Sequence, residues 1–253
     1  MTDDEITQEI ESLVPAVIDG LSAHEMTRQP QSAGKVHPDS GPAGTVSGSA
    51  YRRGEWSLTF DDGPHAKYTP VVLQNLKNHG LKATFFMLSQ NAARNPKLVT
   101  AEKTAGMVQG DHSYNHPVLS KLGESQLQFQ IVKSYQDLTQ LIGAPPKYFR
   151  CPYGACGKQG SRVRQLIASE NMIHIFWTVD SLDWQDHNPS SIHTRVQKEM
   201  QQQGRGIILF HDIHPQSVAA SNLVMDDFVS MTKAGTLRSI TVQQGIDEIN
   251  GVK

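Results

Sequence analysis

Two neighbouring carboxylates close an apolar run in TFDDGPH, Thr59 to His65. Alternate residues of a strand face opposite ways, but a turn at Gly63 can swing Asp61 and Asp62 into one pocket. Such a pair would force one acid to keep its proton unless a cation relieved the repulsion. A second segment, HSYNHP, sets His112 and His116 four residues apart, on one helix face or within a tight loop. Either way, two imidazole nitrogens can meet one ion. Asp62, His112 and His116 together make an N,N,O set with coordination positions left open, which is how catalytic zinc binds before water fills the vacancy. The facial triad of non-haem iron oxygenases uses the same donors. There, however, a His and the carboxylate are near neighbours and the second His is distant. Here the His residues are close and the acid is remote, which favours hydrolysis.

The remaining ionisable candidates fall at the ends of strand-like runs. These runs are Trp56–Phe60, Ala83–Leu88, Met107–Asp111, Tyr148–Cys151, Ile173–Val179, Gly206–Phe210 and Ser239–Val242. Asp61-Asp62, His112, Arg150, Asp180 and His211-Asp212 sit at or just past their C-terminal ends. Helical patterns intervene at Thr69–His79, Pro96–Thr104, Glu124–Ile142, Ser161–Glu170, Ser190–Gln203 and Gln216–Ala234, and Gly143 with Pro145-Pro146 stops the third of these. Strand–helix alternation implies parallel strands with helices packed outside. The fold class is therefore α/β, an incomplete (β/α) barrel of about seven parallel strands rather than an open sheet. In a barrel the C-terminal strand ends meet on one rim, and so many charges gathered there serve catalysis better than scaffolding.

The five segments TFDDGP, HSYNHP, RCPYG (Arg150–Gly154), DSLDW (Asp180–Trp184) and LFHD (Leu209–Asp212) occur in this order. Together they resemble the five motifs of the polysaccharide deacetylases, the NodB-homology family of carbohydrate esterases, over roughly residues 54–245. The resemblance implies a distorted (β/α) barrel and a divalent metal, one per chain, usually zinc, with cobalt, nickel or manganese as substitutes. It also implies hydrolysis of an acetyl group, mostly N-acetyl, on a glycan. Carried over, Asp62, His112 and His116 hold the metal and Asp61 is the general base, oriented by Arg150. His211 is the general acid, held by Asp180. Tyr153, after Pro152, offers its backbone N–H to the oxyanion and its ring to the groove, while Trp184 and Leu209 wall the acetyl pocket. Two positions depart from the pattern. Asp111 precedes His112 where Asn is commoner, and Cys151 replaces a common Pro. Cys151 and Cys156 are either a disulfide or two buried thiols.

Other polar candidates have plainer readings. His65 is exposed or on the rim, His174 is a satisfied core or outer-barrel residue, and Asp183 braces its loop. Asp186 and His187 lie on the rim, His214 stands near the site, and Asp226-Asp227 is a solvated helix face.

The chain has 253 residues, 23 basic and 25 acidic groups, 20 Gly, 13 Pro and 2 Cys. That length fits one barrel domain. The near-neutral balance argues against a nucleic-acid coat, and two cysteines exclude a disulfide-rich scaffold. No run reaches the roughly 18 apolar residues a membrane span needs. Residues 1–50 divide into an amphipathic helix over 4–23 and a Gly/Ser/Pro-rich linker or arm over 29–50. Residues 51–253 form the deacetylase-like domain. The N-terminus lacks a secretory pattern, leaving a cytoplasmic chain or a mature form with an added Met. The expected substrate is a glycan, peptidoglycan first and chitin oligomers second, with acetate as product. A glycan substrate points to a periplasmic or secreted protein, acting as a monomer without nucleic-acid partners. The alternatives are a non-catalytic glycan binder and an amidohydrolase acting on a small nitrogen compound.

Overall fold

The computed structural model describes residues 44–252. The helix expected over 4–23 and the arm as far as residue 43 lie outside the described residues.

The strands are β1 (Thr45–Val46), β2 (Glu55–Asp61), β3 (Thr84–Met87), β4 (Val108–Asp111), β5 (Tyr148–Phe149), β6 (Ile173–Ile175), β7 (Val179–Asp180), β8 (Gly206–His211) and β9 (Arg238–Ser239). They form one sheet in the order β1-β6-β5-β4-β3-β2-β8-β7, with β9 pairing the start of β2. Every pairing is parallel. The helices are α1 (Thr69–His79), α2 (Ser89–Arg94), α3 (Pro96–Thr104), α4 (Glu124–Leu127), α5 (Ser134–Ile142), α6 (Arg162–Ser169), α7 (Pro189–Gln203), α8 (Pro215–Lys233) and α9 (Val242–Ile249). The parallel α/β architecture is as expected from the alternation.

Several boundaries differ from the expectation for physical reasons. Thr45–Val46, read as linker, pairs with His174 and Ile175 of β6. Ile173–Val179, read as one strand, is two, because Phe176–Thr178 turns the chain from β6 to the far end of the sheet, where β7 joins β8. Val242 starts a helix, capped by a Thr241 side chain that accepts from Gln244 N. The long helix expected over Glu124–Ile142 contains a π segment, Gln128–Lys133.

Strand alternation divides the core into two layers. Trp56, Leu58, Phe60, Ile208 and Phe210 point outward with Val196, Val224 and Phe228 of the helices. Tyr51, Phe86, Ile207 and Ile240 fill the inside. Thr59, Asp61, Leu209 and His211 share that inner face, since Thr59 pairs Leu209 and Asp61 pairs His211. Continuing the inner row upward therefore carries the sequence from apolar packing to ionisable groups at the mouth.

Candidate active site

Asp61 is the last residue of β2 and only 2% exposed. Arg150, fully buried, donates from one guanidinium nitrogen to Asp61 Oδ1 (2.7 Å) and Thr59 Oγ1 (2.8 Å). Its guanidinium carbon lies 4.1 Å from the Phe86 ring centroid and 5.6 Å from that of Trp177. Burial raises the Asp61 pKa to about 6, against the lowering pull of Arg150 and His211. A carboxylate in that range can both exist ionised and accept a proton near neutrality.

Asp62 leaves the strand with φ 74°, its N–H donating to Phe86 O (3.1 Å). This left-handed backbone turns the second carboxylate back over the mouth. Gly63 follows because the Asp212 carboxylate lies against it: a Cβ there would come within 2.3 Å of an oxygen. Asp212 is fully buried, accepts from Thr69 Oγ1, and is pushed by burial up to about 7.

His112 and His116 lie in a loop after β4, so the tight-loop alternative holds. The loop bends through left-handed Ser113 (φ 76°) and His116 (φ 69°). His112 Nδ1–H donates to Arg150 O (2.7 Å), which leaves the Nε2 lone pair facing the acids. That nitrogen lies 3.5 Å from Asp62 Oδ1 and 3.6 Å from Asp61 Oδ2. His116 Nε2 lies 3.4 Å from Asp62 Oδ1. Burial drives the His112 pKa down to about 3 and lowers that of His116, so both rings are neutral donors. For Asp62, burial acts to raise the pKa, but His116, His211 and His112 outweigh it and the net shift is down. Asp62 Oδ1 is buried without a hydrogen-bond partner. The donor atoms of Asp62, His112 and His116 all lie within 4.8 Å of one another. An orphaned carboxylate oxygen beside two neutral imidazole nitrogens suits a divalent cation such as zinc.

Two further features lie behind this loop, the first of them without a signal in the sequence analysis. The π segment aims Gln130 at it: Tyr114 N–H donates to Gln130 O (3.1 Å), Asn115 N–H to Gln130 Oε1 (3.2 Å), and Gln130 Nε2 to Asn115 Oδ1 (2.7 Å). Insertions of this kind recur at functional sites. Asp111, which stands where Asn is commoner, is fully buried, and burial raises its pKa to about 8. At neutral pH it is the uncharged acid. Its Oδ1 accepts from Ser113 N (2.8 Å) and Ser134 Oγ (2.7 Å), as an Asn amide oxygen would.

Across the mouth stands His211. Its partner is Asp183, not the expected Asp180. His211 Nδ1–H donates to Asp183 Oδ1 (2.7 Å), and the His211 backbone N–H donates to Asp183 Oδ2 (2.8 Å). Asp180 instead accepts from Leu182 N (2.9 Å). The reason is local geometry: the chain quits the sheet after Asp180 and turns through left-handed Leu182 (φ 54°), bringing Asp183 beneath β8. Burial acts to lower the His211 pKa, but Asp183, Asp62 and Asp61 outweigh it and raise it to about 10.

Tyr153 is 57% exposed, in a left-handed conformation (φ 55°), with its ring centroid 4.5 Å from that of His116. Pro152 and Leu209 are buried, and Trp184 is half-buried in the turn after β7. Cys151 and Cys156 form a disulfide with Cα atoms 5.5 Å apart. His65 stacks on Tyr68 at 4.7 Å. The His214 ring is 6.3 Å from that of His211, and Asp226 and Asp227 pair with His79 and His193.

The "Polysaccharide deacetylase" family model matches residues 49–172. A solved peptidoglycan N-acetylglucosamine deacetylase, Bc1960, is 32% identical; the match covers 79% of this chain and 91% of that one, with a TM-score of 0.71. The chain belongs to the polysaccharide deacetylase family. A family 4 carbohydrate esterase from Streptomyces lividans, solved with acetate, is 33% identical, with coverage of 76% and 95% and a TM-score of 0.65. A peptidoglycan-N-acetylglucosamine deacetylase of Bacillus cereus is 38% identical over 146 residues, 58% of this chain and 52% of that protein. This deacetylase-family chain thus spans about half the length, or less, of the first curated relatives it matches.

Proposed function

We propose that this chain hydrolyses the acetamide of N-acetylglucosamine residues in peptidoglycan, releasing acetate and leaving a free amine. The convergence of Asp62, His112 and His116, with Asp61 on one side and the Asp183-held His211 on the other, carries the reading. A divalent cation held by those three side chains, zinc in the first instance, supplies Lewis acidity toward the acetyl carbonyl and toward water. The rest of the chemistry falls to the chain itself. Asp61 Oδ1 is engaged by Arg150, so Oδ2 is the atom that takes the proton of the attacking water. Arg150 is a positioning residue: its contacts hold that carboxylate in one rotamer and keep it ionised. The backbone N–H of Tyr153, at a helix-like turn whose first donors lack internal partners, is offered to the developing oxyanion. His211, with Nδ1–H committed to Asp183, presents Nε2–H to the departing nitrogen. Leu209 lies on the same inner face as His211, where it walls the acetyl methyl, and Trp184 borders the mouth.

Peptidoglycan is favoured because relatives bear that substrate in their names, and chitin oligomers stand second because a chitooligosaccharide deacetylase is also a relative. A cell-wall glycan is met outside the cytoplasm, so we place the protein there. Among the described residues no helix is long and apolar enough to cross a membrane. The test is acetate release from peptidoglycan, chitin oligomers and acetylxylan, with mass analysis of products. Asp61→Asn should lose turnover while still binding cation and glycan. A protein that merely binds glycans would be untouched by that change.

A further inference from the structure

A second group of donors lies apart from the catalytic mouth. Cys151 and Cys156 are 0% and 1% exposed, and His174 is 2% exposed. His174 on β6 pairs with Phe149 of β5, two residues before Cys151. Residues paired across parallel strands face the same way, so the imidazole and the Cys151 sulfur share the outer face of the sheet. One ring nitrogen and the two sulfurs lie within 4.8 Å of one another.

The deacetylation chemistry uses none of them. The two cysteines are joined, and a disulfide alone explains the sulfurs but not the ring. His174 Nδ1 is engaged by Thr45 Oγ1 (3.1 Å), which also accepts from an Arg164 guanidinium nitrogen (2.7 Å). His174 Nε2 is buried with no hydrogen-bond partner. Burial, with Arg164 and Arg150 nearby, pushes this pKa down to about 3, so the ring is neutral. A buried neutral imidazole with one nitrogen unpartnered, and with a ring nitrogen within 4.8 Å of both sulfurs, has the character of a ligand awaiting an ion.

We propose that Cys151, Cys156 and His174 form a thiolate–imidazole site for a thiophilic cation of the Zn²⁺ class, closed while the disulfide stands and opened by a dithiol reductant. In the opening step the protein S–S bond breaks and the S–S bond of the reductant forms. The two hydrogens of the dithiol end on the cysteine sulfurs, so two electrons and two protons are transferred. On binding, each thiol gives its proton to solvent as a sulfur–metal bond forms. Zinc with Zn–S about 2.3 Å and Zn–N about 2.0 Å holds two sulfurs about 3.8 Å apart, so the cysteine sulfurs must move out from disulfide bonding distance once that bond is cut. Thiolate donors distinguish this site from the oxygen–nitrogen set at the mouth.

The full chain is reduced with a dithiol, desalted without air, and titrated with Co²⁺, then Zn²⁺. Reduced protein should take up one more equivalent than oxidised protein. That equivalent should carry a thiolate-to-cobalt charge-transfer band, which Zn²⁺ then erases. Asp62→Ala should remove the equivalent lacking the band and keep the one that has it. His174→Ala should keep two titratable thiols and bind the second ion at least about tenfold more weakly. Two free thiols with no band would overturn the proposal. So would undiminished affinity in His174→Ala, or a disulfide that resists the dithiol in the folded protein. If His174→Ala does not fold, the comparison of reduced with oxidised wild type decides alone.

Discussion

Asp183→Asn separates the observed partner of His211 from the expected one. The His211 pKa stands at about 10 against an ordinary 6.5. At 1.36 kcal/mol per unit, that is about 5 kcal/mol favouring the imidazolium. At pH 7 wild-type His211 therefore carries the proton it must give. With the Asp183 carboxylate gone, burial becomes the dominant influence, the ring is neutral, and acid assistance is lost. Amide turnover should fall by about 10²–10⁴. An aryl acetate has a leaving group that departs without a proton, so its hydrolysis should fall far less. Asp180→Asn keeps an amide oxygen that can accept from Leu182 N–H and should cost about tenfold or less. Acetate release from N-acetylated glycan and from aryl acetate, measured on both variants at pH 7, gives the comparison. Equal losses on the two substrates, or a larger loss in Asp180→Asn, would refute the reasoning. A linked effect appears in stability. A raised histidine pKa contributes fully below about 6.5 and fades as pH climbs through about 10. The melting-temperature gap between wild type and Asp183→Asn should accordingly be widest in mild acid and close toward pH 10.

Further outcomes are open to direct measurement. Asp62→Ala should reduce zinc at the catalytic site from one per chain to near zero while the fold persists, since Asp62 Oδ1 has no partner to lose; elemental analysis and circular dichroism check both. Treating oxidised wild type with a chelator should abolish acetate release, and zinc or cobalt should restore it. Asp111→Asn should keep activity. The raised acid pKa makes wild-type stability fall as pH rises from about 4 to about 8, so melts of the variant should gain on wild type across that window. Gln130→Ala should weaken zinc binding about tenfold to a hundredfold by freeing Asn115, and equilibrium dialysis reads it.

The motifs were legible because their residues occupy strand ends, and alternation along β2 and β8 is enough to place Asp61 and His211 on one face. Asp62, His112 and His116 could be grouped by donor chemistry alone. What could not be read depends on turns whose course no periodicity encodes. DSLDW offers two aspartates, and only the left-handed Leu182 between them determines which one meets His211. Gln130 sits in a run whose spacing looks regular, and the π segment that aims it shows only as a polar side chain buried among Leu127 and Ile131. α2, with the polar sequence SQNAAR, has no apolar stripe to betray it. The helix at Val242 did carry a signal, Thr241 followed three residues later by Gln244.

The passage from β6 to β7 sets a mechanical limit on the mouth. Phe176–Thr178 alone join strands at the two sides of the sheet, and four Cα steps reach at most about 14 Å. β6 and β7 are not paired with each other. Within this connection the Phe176 and Trp177 rings stack at 4.2 Å, and an Arg150 guanidinium nitrogen donates to Phe176 O at 3.3 Å. The covalent connection, rather than a strand pairing, is therefore what ties β6 to β7. The arginine that steadies Asp61 is thus fastened to that same connection, so a shift of Phe176–Thr178 would be transmitted to the carboxylate.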